Sequence, residues 1–194
     1  MNPYLIDTKP AVIDLIQLLD REKKLLLEKQ SLAERMIEYE RDLFENGKKS
    51  GFSAEVLIDL GGFHEASKRF TEDAAVIQRS LLNMESTHLV FAAALLQVAK
   101  QGISVVHGSL SQCPSGRAIG RDYLKTVIWA ARNQSMHYEE GNFNRSVVDC
   151  FHNLQADFGS QFTLGAINRA DRIVELLGWY DYNHYESDMV SLLG

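Results

Sequence analysis

The feature that most constrains the fold is a long interval near the N-terminus without a helix breaker. Between Pro10 and Gly47 the sequence contains neither Gly nor Pro. Its apolar residues recur at near-helical spacing: Ile13, Ile16, Leu19, Leu26, Met36, Leu43 and Phe44. Such spacing places side chains on one face of an α-helix, so we predict a helix from about Pro10 to Asn46 that ends at Gly47. Its length of about 50 Å implies either a kink or packing against a second subunit.

Helical patterns continue through most of the remaining chain, and no strand pattern competes with them. The further predicted helices are Ser53–Leu60, Phe63–Val106 with an interruption near Phe70 and Thr71, Arg117–Gln134, Asn144–Phe158 and Leu164–Leu177. Loops are expected at His107–Gly116 and around Glu140–Asn142, where Gly and Pro collect. The sequence therefore predicts an all-α fold, an up-and-down helical bundle with a long N-terminal helix.

Length and composition favour one domain. A chain of 194 residues with 45% hydrophobic and 24% charged residues is typical of a globular domain. We expect residues 1–60 to form the long and the short helix, residues 63–177 the bundle core, and residues 178–194 an aromatic tail docked on the bundle or on a partner.

The sequence does not indicate a metal site, a cofactor site or a membrane span. Cys113 and Cys150 lack metal-ligand spacing, and the histidines outside the motif described below are scattered. Acidic Asp7 stands near the N-terminus, and no run approaches the ~18 apolar residues of a membrane span. We expect a cytoplasmic protein that uses neither a metal nor a cofactor.

The net charge of −6 argues against a nucleic-acid partner, but the charge is unevenly distributed. Residues 101–150 contain five Lys or Arg against four acids, the only quarter of the chain with a positive balance. Arg117, Arg121 and Lys125 follow one another at intervals of four within a predicted helix. They form either a solvated helix face or an RNA-guiding surface.

The residues with the clearest chemical potential are Arg132, Asn133 and His137, at the end of a predicted bundle helix. Arginine offers a permanently charged fork of donors to a phosphate, and histidine exchanges protons near neutrality. On a continuous helix Arg132 and His137 would diverge by roughly 140°. Their convergence therefore requires the helix to unwind near Ser135 and Met136, or a second subunit to supply one of them.

A two-fold dimer is chemically attractive for this motif. RNA cleavage through the 2′-hydroxyl needs one group to accept a proton and another to donate one, and a dimer provides two copies of His137. The guanidinium of Arg132 would stabilise the added charge on phosphorus. The alternative is that Arg132 only neutralises the C-terminal end of its helix and His137 caps the last carbonyl groups.

At these residues the chain resembles the HEPN superfamily, whose helical bundles carry Arg, a polar residue, and then His after four to six intervening positions. Arg132 to His137 fits with four intervening residues and Asn133 in the polar position. The resemblance extends over about Arg117–Phe158 and implies a dimeric bundle, often a metal-independent endoribonuclease of toxin–antitoxin or other defence systems. It implies that Arg132 and His137 carry catalysis and that Asn133 supports the site.

One HEPN branch is adenylylated on a tyrosine two positions after the histidine. Here Tyr138 follows directly after His137, so the resemblance does not extend to that modification. We assign Tyr138 to RNA binding, together with Arg117, Arg121 and Lys125.

Three hypotheses follow from the sequence. The first is a homodimeric endoribonuclease that acts as a toxin or defence effector on RNA, with a possible antitoxin or other partner protein. The second is a catalytically inactive module of the same fold that binds a partner protein or a nucleotide. The third is a structural helical protein in which the motif is coincidental.

Overall fold

The computed structural model describes residues 2–49 and 62–194. Its helices are α1 (Pro3–Lys49), α2 (Gly62–His107), α3 (Leu124–His137), α4 (Arg145–Phe158), α5 (Ala170–Leu177) and α6 (Tyr182–Leu193). Two short strands, β1 (Ala118–Ile119) and β2 (Asp122–Tyr123), form an antiparallel hairpin. Short 3₁₀ turns occupy Tyr138–Glu140 and Ser160–Phe162. The prediction of an all-α helical bundle is confirmed. The predicted helix Ser53–Leu60 lies outside the described residues.

The chain divides into two compact units. Unit 1 comprises Met1–Arg21 and His88–Gly194, and unit 2 comprises Glu22–Thr87. Both boundaries fall inside helices, α1 and α2, where the helical pattern of the sequence continues without a break. The candidate site lies entirely in unit 1, whose packing is described below.

The core of unit 1 is built from apolar residues spaced three or four positions apart on each helix. On α2 the fully buried residues are Ala92, Leu95, Leu96, Ala99 and Ile103. On α3 they are Leu124, Val127, Ile128 and Ala131, and α4 adds Val147, Phe151 and Leu154. This spacing gives each helix one apolar stripe, and burial of those stripes against one another stabilises the bundle.

Helix α1 begins seven residues earlier than the sequence analysis predicted. Asn2 is its cap: the side-chain Oδ1 accepts from the Tyr4 backbone N–H at 3.0 Å. Pro3 occupies the first helical position, where its missing N–H costs nothing. Pro10, expected at the start, lies inside the helix, and Gly47, expected at the end, precedes the described end at Lys49.

Helix α2 is continuous from Gly62 to His107, so the predicted interruption near Phe70 and Thr71 is absent. The stretch from Phe63 to Gln101 has no Gly or Pro to break the helix. At Gly102 a side chain would collide with the Tyr4 ring, which packs against the bare backbone there.

The segment Ala75–His107 is long and apolar enough, by length and composition, to cross a membrane. This differs from the expectation that no run approaches that length. One such helix is weak evidence, because a packed core helix meets the same criterion; here 33% of the apolar stretch is buried, including Leu95, Leu96 and Ile103.

The predicted helix Arg117–Gln134 begins only at Leu124, because the β1–β2 hairpin occupies residues 118–123. Ile119 pairs with Asp122 around a two-residue loop in which Gly120 has a φ of +58°. A glycine at the first loop position is what a tight hairpin of type II′ requires. A side chain on Gly120 would also collide with the Asp157 carboxylate.

The C-terminal third agrees with the sequence in part. Helix α4 starts at Arg145, and the side chain of Asn144 caps it by accepting from the Val147 N–H at 3.1 Å. The predicted helix Leu164–Leu177 begins only at Ala170. The expected aromatic tail is largely a helix, α6, capped by Asp181.

A buried carboxylate joins α6 to the rest of unit 1. Asp188 is 6% exposed and receives two hydrogen bonds from Arg117, at 2.7 and 3.0 Å. Its Oδ2 also accepts from the indole N–H of Trp179 at 2.9 Å. The terminal nitrogen of Arg117 that donates to Oδ2 of Asp188 also donates to the Leu177 carbonyl. One carboxylate thus connects the start of the hairpin, the end of α5 and the last helix.

We expect Asp188→Ala to lower the free energy of unfolding by about 2–3 kcal/mol, because it leaves Arg117 and the Trp179 N–H without their acceptor. Asp149→Ala removes an exposed carboxylate paired with Arg145 and is the matched control, with an expected change below about 0.5 kcal/mol. Urea unfolding of both variants measures the difference. Equal midpoints for the two variants would contradict the role given to Asp188.

Candidate active site

Helix α3 carries the motif and continues without a break through Ser135 and Met136, and its last residue, His137, departs from helical geometry with a φ of −127° and a ψ of 16°. The unwinding near Ser135 and Met136 that would bring Arg132 and His137 together therefore does not occur. Five positions along a continuous helix separate Arg132 and His137 by roughly 140° around the helix axis. Within one chain the motif presents its arginine and its histidine on different faces.

The imidazole of His137 is held by a carboxylate from the following turn. Nδ1 lies 2.7 Å from Oε1 of Glu140, and both side chains are more than half exposed. A carboxylate accepts, so Nδ1 carries the hydrogen and Nε2 is the ring nitrogen left for other chemistry. Among the described residues no hydrogen bond involves Nε2. Gly141 closes this turn with a φ of +64°.

The guanidinium of Arg132 is held by neutral amides. Nε donates to Oε1 of Gln97 at 2.5 Å, and one terminal nitrogen donates to Oδ1 of Asn133 at 3.2 Å. These bonds use two of the five N–H donors of the guanidinium. The side chain is half-buried, and its charge has no carboxylate partner among the described residues. Asn133 thus contacts the guanidinium of Arg132, its neighbour in the motif.

Tyr138 follows His137 in the 3₁₀ turn, where its hydroxyl donates to Oε1 of Glu139 at 3.0 Å. This hydrogen bond, and the charge of the same carboxylate, raise the pKa of Tyr138 above its usual value. The two adjacent acids of the turn therefore have different partners: Glu139 binds the phenol and Glu140 the imidazole.

The three cations assigned to an RNA-guiding stripe do not share a helix face. Arg117 precedes the hairpin and binds Asp188, while Arg121 lies in the hairpin loop and contacts Asp157 at 3.2 Å. Lys125, in the first turn of α3, donates to the Cys113 carbonyl at 2.6 Å. The prediction that the three cations share one helix face is therefore wrong, because the hairpin replaces the first turns of the predicted helix.

Sequence reasoning missed the role of Gln134, which is fully buried in the middle of the motif. Its Nε2 donates to the Ile167 carbonyl at 2.7 Å, and its Oε1 accepts from the Arg169 backbone N–H at 3.0 Å. One amide thus pairs two backbone groups of the segment before α5. Because Ile167 and Arg169 are engaged here, the helix predicted from Leu164 starts only at Ala170. No local pattern indicates a contact over more than 30 positions.

The remaining polar candidates are not gathered around His137. Asp149 pairs with Arg145 at 3.5 Å, and His152 is exposed on α4. Cys113 and Cys150 are buried as free thiols, and burial raises the pKa of both. Within residues 2–49 and 62–194 no three His, Cys, Asp or Glu side chains come together as a metal site would need.

Comparison of the chain with protein-family models, with curated proteins and with solved structures yields no match.

We expect Gln134→Leu to lower the free energy of unfolding by about 1–2 kcal/mol. The substitution keeps the side-chain volume but removes the hydrogen-bond partners of the Ile167 carbonyl and the Arg169 N–H. Gln155→Leu, at an exposed position of α4, is the matched control. Hydrogen exchange of the Arg169 amide gives a local readout, which should accelerate only in the Gln134 variant. Unchanged protection of that amide would contradict the contact.

Proposed function

We propose that this protein is a metal-independent endoribonuclease of the HEPN type, which cleaves RNA by attack of the 2′-hydroxyl on the adjacent phosphorus. His137 accepts the proton of the 2′-hydroxyl and delivers it to the departing 5′-oxygen, and Arg132 stabilises the charge that develops on the phosphoryl oxygens. We propose further that it acts as a toxin or defence effector in the cytoplasm.

The observation that carries the proposal is the contact between His137 and Glu140. A carboxylate on Nδ1 fixes the tautomer and the orientation of an imidazole, as general acid–base histidines require. It leaves Nε2 directed to solvent on an exposed turn, where an RNA hydroxyl or a leaving 5′-oxygen can reach it. A histidine that only capped its helix would instead direct a ring nitrogen at the last carbonyl groups.

Arg132 supports the same chemistry. Its partners, Gln97 and Asn133, orient the guanidinium without neutralising it, and three N–H donors remain for phosphate oxygens. A carboxylate partner in their place would cancel the charge that the transition state needs. Arg132 is in this respect unlike Arg117 and Arg121, which pair with acids.

A homodimer completes the site in this proposal. Because α3 is continuous, the Arg132 and the His137 of one chain face different directions, and a two-fold axis can bring Arg132 of one copy to His137 of the other. Met136 and Ile167 are each 55% exposed beside the motif, and such apolar side chains are suited to a subunit contact.

The first test is cleavage of single-stranded RNA and tRNA in EDTA. We expect His137→Ala to lower kcat/KM by about 10²–10⁴-fold, the usual contribution of a general acid–base group. His152→Ala, which removes another exposed histidine of unit 1, should retain full activity. The products should end in 2′,3′-cyclic phosphate. RNA left intact by the folded wild-type protein, over several substrates, would contradict the endoribonuclease.

The turn provides a second, matched comparison of two adjacent acids. We expect Glu140→Gln to lower kcat about 10-fold or more, because the amide no longer holds the imidazole in one tautomer. Glu139→Gln changes the same charge at the next position but touches only Tyr138, so its kcat should stay within about twofold of wild type. Equal losses in both variants would mean that only the charge of the turn matters.

Mixing two inactive variants tests the composite site. Arg132→Ala and His137→Ala are each expected to be inactive alone, whereas their heterodimer contains one intact pair. With random exchange of subunits, the mixture should recover about a quarter of wild-type activity. Failure to recover activity, with exchange verified by differently tagged subunits, would contradict a site made of one arginine and one histidine from different chains. It would mean that both residues come from the same chain or that one site needs both histidines.

The second candidate is a binding module of the same fold without catalysis, which takes a partner protein or a nucleotide. One observation favours it: Arg117, Arg121 and Lys125 are all occupied by acceptors of the same chain, which reduces the cationic surface available to a long RNA. Intact RNA together with saturable nucleotide binding in calorimetry would select this function.

A further inference from the structure

The central part of this acidic chain is strongly depleted of acids. Between Glu85 and Glu139 the sequence contains five Lys and Arg residues, Lys100, Arg117, Arg121, Lys125 and Arg132, but a single acid, Asp122. Those 53 positions include the unit 1 part of α2 and all of α3, neither of which carries a carboxylate. A surface formed by these two helices is therefore positive in a protein whose net charge is −6.

Two contacts define how α2 and α3 meet on this surface. Gln97 binds Arg132, and the ammonium of Lys100 lies 4.4 Å from the ring centroid of Trp129. On each helix the two residues are three positions apart and so share a face. The helices run antiparallel here, since Gln97 meets Arg132 while Lys100 meets Trp129. We call these four residues the Lys100–Arg132 face.

Both cations of this face are held in place by groups without charge. The Trp129 ring positions Lys100, and Gln97 and Asn133 position Arg132; Gln101 extends the amide network by accepting from Gln97 at 3.5 Å. Neither cation has a carboxylate partner among the described residues. An ammonium has three donors, more than one ring can occupy, so Lys100 keeps donors for an anion.

Lys9 is a lysine in a similar aromatic contact whose charge is paired within the chain. Its ammonium also lies over an aromatic ring, that of Tyr182, at 4.8 Å, but it is paired with Glu186 at 3.4 Å. Lys9 and Lys100 thus share the ring contact and differ in the carboxylate. The charge of Lys9 is satisfied within the chain, whereas that of Lys100 is available to a ligand.

We propose that the Lys100–Arg132 face binds the phosphodiester backbone of a single-stranded nucleic acid, with successive phosphates at Lys100 and Arg132. Its donors are all of the kind that contact phosphate oxygens and carry no base specificity. If the protein is the proposed endoribonuclease, this face binds the part of the RNA strand next to the scissile phosphate. Only the identification of RNA as the natural ligand rests on the proposed function.

Single-stranded DNA separates binding from cleavage, because it has the same phosphates and lacks the 2′-hydroxyl. The experiment measures fluorescence anisotropy of a labelled oligothymidylate of about 12 nucleotides with the full-length protein at several KCl concentrations. An oligouridylate of the same length, bound to the His137→Ala variant, is the RNA arm.

We expect Lys100→Gln to weaken binding about tenfold at low salt and to reduce the slope of log K against log salt by about 0.7, the value for one phosphate contact to a single strand. Lys9→Gln, the matched control, should leave affinity and slope unchanged. Trp129→Leu should weaken binding, and Trp129→Phe, which keeps a ring under Lys100, should restore it. Circular dichroism confirms that each variant is folded.

Several outcomes would overturn the inference. Lys100→Gln with wild-type affinity and slope would do so, and so would a wild-type protein that binds neither strand. Displacement of the DNA by poly-glutamate at equal charge would assign the face to an acidic protein segment instead. If DNA binds through Lys100 but RNA is not cut, the endoribonuclease proposal is wrong and the phosphate-binding face is supported. If RNA is cut but Lys100→Gln has no effect, the endoribonuclease proposal is supported and the phosphate-binding face is wrong.

Discussion

The packing of unit 1 depends on the buried carboxylate of Asp188. A carboxylate at this depth is stable only when its oxygens are paired, and Arg117 and Trp179 provide the donors. Arg117 in turn accepts from the Leu124 N–H with its carbonyl at 2.9 Å, which sets where α3 begins. The ion pair that joins α6 to the bundle therefore also determines the register of the helix that carries the motif.

The other end of α3 is held by Gln134, whose amide pairs the backbone at Ile167 and Arg169. Val127, Ile128 and Ala131 are buried between these contacts, and the helix continues to His137. This continuity has a chemical consequence. Arg132 and His137 of one chain stand at different angles around the helix, so the proposed chemistry uses a second copy.

The positive residues of the chain differ more in their partners than in their number. Arg117 and Arg121 are used internally by acids, and a count of charges along the sequence gives them the same weight as Arg132. Lys100 and Arg132, held by a ring and by amides, keep their charge uncompensated among the described residues. An acidic protein can thus present a cationic surface, because net charge does not report which cations are already neutralised.

The sequence by itself determined the helical class, the apolar stripes and the place of Arg132 and His137 at a helix end. These features depend on neighbours within about four positions, and so they are visible as spacing and composition. The β1–β2 hairpin was not predicted, because two-residue strands have no alternation to detect. Helix α6 was not predicted either, although Tyr185, Met189, Leu192 and Leu193 recur at helical spacing. Only the tertiary structure decided that Gln97 orients Arg132, that Asp188 engages Arg117 and that Gln134 holds the segment before α5. Those contacts join residues more than 30 positions apart, and their energies depend on burial, which arises only when the helices pack.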